Sequence, residues 1–290
     1  MFHSIADLNF KKLSDVNAGV TGIVKFLDKF YISYEESNKL DIFESNVGYQ
    51  YVSSYILEKT QPGKIRDIAA CRLNKCLYVS DIDYPNYCIW RITVCKNKYT
   101  VSIFAKIKDS PCAISTMSSG NVLAINRRRN GLDIYNSEGI LVENLEFCAD
   151  IGLQYINYAL EAPNGGYLIS HGYHDFRKHR VCEISADCKT IIRSHGDKCG
   201  YEQEELYKPF YLAIREEDGW IFVADTDNKR VKVMDKNLHL KDIILTEGHF
   251  PWRIFYDADM KNLIIGSSFN GVKIIPVNKS RTRSYPFKLM

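Results

Sequence analysis

The residues best equipped for chemistry in this chain sit in short polar runs between apolar ones. Asn126-Arg127-Arg128-Arg129-Asn130 is one such run, His171-Gly-Tyr-His174-Asp-Phe-Arg177-Lys178-His179-Arg180 is a second, and Asp225-Thr-Asp-Asn-Lys229-Arg230 is a third. Cations beside aromatic rings neutralise phosphates and stack on bases, which is the chemistry of single-stranded RNA binding. The same residue types grip a peptide, because Arg, Tyr and Trp are the usual interface anchors. His171, His174 and His179, spaced by three and five, invite a metal reading. Zinc and iron sites add a carboxylate or a third His held in rigid geometry, and a polar loop of this length is no rigid scaffold. No metal ligand set is assigned; a pH-sensitive contact is the simpler use of these imidazoles. The nine cysteines form no CxxC pair. They read as reduced thiols, with Cys76, Cys88, Cys112 and Cys182 acting as small hydrophobes in apolar runs. There is no GxSxG elbow, P-loop, HExxH or dinucleotide fingerprint, so neither a catalytic residue nor a cofactor is expected.

Composition narrows the elements that must hold these runs. The 290 residues are 46% hydrophobic, with 19 Tyr and 14 Phe against only 8 Pro and 17 Gly. Aromatic and β-branched residues suit pleated, half-buried strands. A net charge of +3 is too mild to point to nucleic acid by itself. The opening MFHSIADLNFKKLSDV is too polar for a secretion signal, and no run approaches the roughly 18 apolar residues of a membrane helix. The expectation is a soluble cytoplasmic protein with no membrane partner.

A repeat organises the strands. The clearest unit is Pro209-Phe-Tyr-Leu-Ala-Ile, a Glu-Glu-Asp-Gly turn, Trp220-Ile-Phe-Val-Ala-Asp225, a polar turn, and Arg230-Val-Lys-Val-Met234. These read as strands a, b and c. Five other segments echo it, with b strands at 30–34, 76–81, 122–126, 167–171 and 263–266. The b strands end at 34, 81, 126, 171, 225 and 266, a period of 41 to 54 residues. Several short strands at such a period signal a propeller blade. The fold expected is all-β: one domain over residues 1–290, a six-bladed β-propeller of four-stranded antiparallel blades. Outer d strands are expected at 100–104, 140–144 and 238–243. Blade six lacks one of its own, so Phe2-His-Ser-Ile-Ala or Arg283-Ser-Tyr-Pro-Phe-Lys-Leu is expected to close the ring.

The unit from Pro209 to Val231, with Gly219-Trp-Ile-Phe-Val-Ala-Asp225 and Asn228-Lys-Arg230 at its centre, resembles an NHL repeat. Cys76-Leu-Tyr-Val-Ser-Asp81 with Cys88-Ile-Trp-Arg-Ile92 is similar. In the other blades Tyr34, Asn126, His171 and Gly266 stand where the family pattern has Asp. The resemblance implies a protein- or RNA-binding module. Some relatives are lyases or hydrolases with a metal in the central channel, which is the alternative reading. Asp81 and Asp225 themselves are expected to bond nearby backbone amides.

Because propeller strands alternate in direction, all b–c loops and d–a linkers share one face. That face collects Arg127, Arg128, Arg129, His171, His174, Arg177, Lys178, Arg180, Lys229 and Arg230 over blades three to five. Acidic Glu35, Glu36, Asp81 and Asp83 lie over blades one and two. Phe210, Tyr211, Trp252 and Arg253 come from the linkers near the channel. These basic and linker residues are the candidate binding set, with a protein or peptide as the expected partner and RNA as the other possibility.

Overall fold

A strand buried on both faces must be apolar over most of its length, and the b strands of this chain are, with polar residues confined to their ends. The computed structural model describes residues 19–45, 48–57, 63–83, 85, 87–95, 98–109, 113–173, 178–269 and 271–277. Blade one is β1 (Val20–Phe26), β2 (Lys29–Tyr34), β3 (Lys39–Glu44) and β4 (Gln50–Ile56). Blade two is β5 (Ile65–Cys71), β6 (Cys76–Asp81), β7 (Cys88–Cys95) and β8 (Lys98–Lys106). Blade three is β9 (Ile114–Thr116), β10 (Val122–Asn126), β11 (Gly131–Tyr135) and β12 (Leu141–Glu146). Blade four is β13 (Ile156–Glu161), β14 (Tyr167–His171), β15 (Arg180–Ile184) and β16 (Ile191–His195). Blade five is β17 (Pro209–Arg215), β18 (Trp220–Asp225), β19 (Arg230–Met234) and β20 (Leu240–Leu245). Blade six is β21 (Pro251–Asp257), β22 (Asn262–Ser267) and β23 (Val272–Pro276).

Each blade is an antiparallel meander with its a strand innermost. Successive a strands touch around the ring, from β1 to β5, β9, β13, β17 and β21, and β21 returns to β1. The molecule is therefore a six-bladed β-propeller. Blade six has three strands among the described residues, and both terminal segments expected to complete it lie outside them.

Apolar clusters cement the blades. Leu40, Ile42 and Tyr31 of blade one pack on Ile68, Leu77 and Val79 of blade two. Between blades six and one, Val20, Phe30 and Phe43 meet Ile264 and Ile274. Phe30 stands edge-on to Phe255 at 5.5 Å. Lys25 is buried against Asp257 at 3.0 Å, and the Tyr49 hydroxyl donates to the same carboxylate at 2.8 Å. Blade six is thus fastened to blade one by its inner strands. Gly266 follows from this close approach: a Cβ there would lie 2.6 Å from Val20 Cγ1. At Gly22 a Cβ would overlap Ile68 Cγ2 and come within 2.9 Å of the Ile68 backbone nitrogen.

The repeat extends to irregularities. A register shift falls near the start of five a strands, at Val20/Gly22, Ile65/Asp67, Ile156/Tyr158, Pro209/Leu212 and Pro251/Arg253. A β-bulge leaves one residue unpaired and re-aims its side chain, and bulges gather beside functional sites. Here they face the mouth of the channel on the b–c face. Because the clash at Gly22 involves backbone, we expect Gly22→Ala to cost about 2 kcal/mol, as overpacked core positions do. A lowered thermal midpoint with unchanged far-UV circular dichroism is the expected reading; an unchanged midpoint would show that blades one and two can part freely.

Candidate binding site at the mouth of the channel

The channel is closed by side chains from the a strands. Asp67 is fully buried, and its carboxylate accepts from the Ile68 and Ile114 amides at 3.0 Å each. Tyr211 Oη donates to it at 3.4 Å. Arg253, also buried, stands 3.4 Å from Asp67 and donates to the carbonyls of Thr21 at 2.5 Å, Arg66 at 3.0 Å and Trp252 at 3.1 Å. Tyr158 stacks on Tyr211 with ring centroids 3.7 Å apart. All six blades contribute to this hub. Burial pushes the Asp67 carboxyl up to about 6, with the Arg253 charge and the amides of Ile114 and Ile68 pulling against it. At neutral pH it is ionised and balanced by Arg253.

Above the hub lies a belt in which cations and rings alternate. The Arg127 guanidinium covers the Tyr155 ring at 4.5 Å while its Nε donates to the Ile156 carbonyl at 2.9 Å. Tyr155 stacks on Tyr173 at 4.4 Å. The Lys208 ammonium stands 4.8 Å from the Tyr173 ring, 5.6 Å from Trp252 and 5.9 Å from Phe210. Arg66 of blade two reaches Trp252 of blade six at 5.5 Å. Tyr155 and Lys208 occupy equivalent places, one residue ahead of their a strands, and both have left-handed backbone, with φ of 54° and 58°. Such strain in non-glycine residues persists where the surroundings over-determine it, commonly at functional sites.

The basic residues singled out in the sequence fall into two groups. Arg127 belongs to the belt. Arg128 is exposed and pairs with Asp109 at 3.0 Å, Arg129 pairs with Asp133 at 2.5 Å, and Lys178 is exposed. Lys229 covers the Phe250 ring at 4.8 Å. Arg180 and Arg230, by contrast, are buried. Arg180 donates to His171 Nε2 at 3.1 Å and to the Ile151 carbonyl at 3.0 Å. Arg230 binds Asp225 at 2.7 Å and the carbonyls of Tyr201, Glu202 and Glu205. Their charges hold linkers rather than face water. Phe210, Tyr211 and Arg253 are buried in the hub and its roof, while Trp252 is half-buried in the belt. His174 and Arg177 lie outside the described residues. Asp81 accepts from the amide of Asp83, as its place before a polar turn implied, and also from the linker amides of Gly63 and Lys64, whereas Asp225 takes the linker amide of Tyr207 instead of one in its own turn. On the acidic side, Glu36 pairs with Lys64 at 2.7 Å and Glu35 stands 3.9 Å from Arg66.

The sequence did not single out Arg66, Tyr155 or Lys208 as site residues. Their one sequence signal is position, at or just before the start of an a strand, where residue type follows no repeat pattern. Among the described residues no group of three or more His, Cys, Asp or Glu lies close enough to hold a metal ion. No described helix is long and apolar enough to cross a membrane.

No protein-family model matches the chain, and no curated protein matches it in sequence. Its fold does match solved structures. A chain of hydrazine synthase from Kuenenia stuttgartiensis superposes with a TM-score of 0.61, covering 95% of this chain and 98% of that one. At 12% identity the likeness is one of fold alone.

Two expectations follow from the buried charges. Removing one partner of a buried pair typically costs about 3–5 kcal/mol, so Arg253→Met should destabilise the ring strongly and Asp67→Asn with Arg253→Met much less. Urea unfolding of the single and double variants checks this; equal losses would deny that the charges act as a pair. The second concerns pH. Burial, reinforced by Arg180, pushes His171 down to about 3, and burial with Lys232 and Arg230 pushes His195 down to about 4. The unfolded chain takes up those two protons near pH 6.5 and the native chain does not, so acid favours unfolding through both. Asp67 acts oppositely between its native value of about 6 and the ordinary carboxylate range near 3.9. Asp225, raised by burial, acts with Asp67, but the two histidines are displaced over a wider pH span than Asp67, so the thermal midpoint should fall from about pH 7 to about pH 4, and less steeply in His195→Gln. A midpoint that is flat over this range would contradict the assignment.

Proposed function

We propose that this chain is a non-catalytic binding module of the NHL kind, acting in the cytoplasm, that docks a protein or peptide partner on its b–c face at the mouth of the channel. The observation carrying this reading is the belt of Arg127, Tyr155, Tyr173, Lys208, Trp252 and Arg66, in which half-buried rings and cations, drawn together from five blades, lie against one another. Rings of this size supply contact area at little entropic cost, and Arg, Tyr and Trp dominate interface hot spots. A closed channel floor favours surface recognition over passage of a substrate toward the axis. Single-stranded RNA is the second reading, favoured by the same juxtaposition of stacking rings and cations.

The test is capture of partners by the tagged chain, with and without RNase, followed by titration of the recovered partner. Arg127→Glu and Lys208→Glu should each weaken binding roughly tenfold or more, as charge reversals at interface centres do. Lys189→Glu, exposed on the opposite face, should leave it unchanged. RNase-resistant capture with a shallow salt dependence is expected. Capture abolished by RNase and falling steeply with salt would transfer the site to RNA. Binding indifferent to both reversals would remove the mouth from the interface altogether.

A further inference from the structure

One shielded hydrogen-bond donor at the mouth has no acceptor among the described residues, and the cation beside it has only a distant carboxylate. Trp252 Nε1 is shielded from solvent and makes no hydrogen bond. The Lys208 ammonium, whose side chain is only 12% exposed, has rings on three sides, and its nearest carboxylate oxygen, from Asp227, is 3.9 Å away. That separation is beyond hydrogen-bond reach. The other tryptophan of a b–c rim behaves differently, since Trp90 Nε1 donates to Asp81 at 3.1 Å. Buried donors in native proteins are satisfied almost without exception, and an unpaired one calls for a specific explanation. The backbone of Lys208 is pinned: its amide donates to His179 Nδ1 at 2.9 Å and its φ is 58°. The ammonium is thus delivered to the mouth from an anchored point.

We infer that the mouth is a carboxylate-recognition site, in which Lys208 and the Trp252 indole N–H together bind the carboxylate of a peptide partner while Phe210 and Tyr173 pack against an adjoining apolar group. This rests on the binding-module reading above and specifies its ligand. The charge favours an anion: among the described residues the belt cations Arg66, Lys208 and Arg127 stand with the acids Glu35 and Asp227, each acid 3.9 Å from its neighbouring cation. Geometry selects a small group. Lys208 belongs to blade five, Trp252 to blade six and Arg66 to blade two, so the donors converge over the axis, where a chain end or a single side chain fits and a polynucleotide backbone would have to dip. A neutral ring lining beside paired donors is the usual make-up of a small-ligand site.

The experiment uses the whole chain labelled with 15N and follows the indole N–H signals of its three tryptophans. Trp252→Phe assigns the Trp252 signal. The probes, at millimolar concentration, are N-acetyl-L-phenylalanine, its amide, and uridine 5′-monophosphate. The acid should move the Trp252 signal downfield and saturably, the amide should not, and Lys208→Met should weaken the acid by tenfold or more while Lys208→Arg retains it. Unmoved Trp90 and Trp220 signals in each variant report an intact fold. No displacement by the acid, an equal displacement by the amide, indifference to Lys208→Met, or tighter binding of the nucleotide would each overturn the assignment. Should partner capture remain sensitive to Lys208→Glu while the probes are silent, the docking reading stands and the carboxylate class falls. Should both be insensitive, both fall.

Discussion

The ring depends on one buried ion pair at its axis. Asp67 and Arg253 touch backbone or side chains of blades one, two, three, five and six, and the Tyr158–Tyr211 stack brings in blade four. Burying two charges is expensive, and an isolated pair would not repay the desolvation. Here the carboxylate takes two amides and a phenol, and the guanidinium takes three carbonyls, so nearly every donor and acceptor is used. Those partners are available only when six a strands stand at the right distance from the axis. A ring of another size would leave the same charges unpaired, so the pair acts against alternative closures as much as for the native one.

Sealing the channel at this level leaves the linkers to form the rim of the mouth. The same economy recurs further out, where buried cations collect linker carbonyls. Arg180 and Arg230 do so in blades four and five, and Lys232 donates to the carbonyls of Gln203 and Glu205 while bonding His195. A linker held by its carbonyls turns side chains outward, and Tyr201, Glu202 and Glu204 are exposed. In blades two, three and five the polar residue ending the b strand also gathers partners, with different chemistry in each. Asp81 gathers amides, Asn126 bonds Asp133 and the Arg129 amide, and Asp225 takes Arg230. At His171 the neutral ring accepts from Arg180 through Nε2, which places the proton on Nδ1 facing the Gln154 carbonyl.

Left-handed backbone at Tyr155 and Lys208, and bulges at the starts of the a strands, aim side chains across the mouth rather than along the blade. This is conformational cost spent away from the apolar core, and it yields a preformed lining of rings and cations. Preformed lining lowers the ordering entropy of binding, so a rigid mouth needs fewer contacts for a given affinity.

The sequence by itself determined the repetition. Strands β2, β6, β10, β14 and β18 are buried on both faces, so their central positions had to be apolar, and their ends at 34, 81, 126, 171 and 225 were legible to the residue. Outer strands were less so: β4 and β16, wet on one side, mix Ser, Arg and His with apolar residues and escaped the pattern. The aromatic linker residues Phe210 and Trp252 were legible as channel neighbours. Which cations reach water was not, because Arg127 and Arg180 are identical in sequence terms and differ only in whether linker carbonyls surround them. Nor could the meeting of Arg66 with Trp252 be read, since periodicity is a local property and that contact exists only once blade six closes against blade one. Tertiary structure alone decided the site, because the ring brings together residues whose spacing along the chain carries no signal.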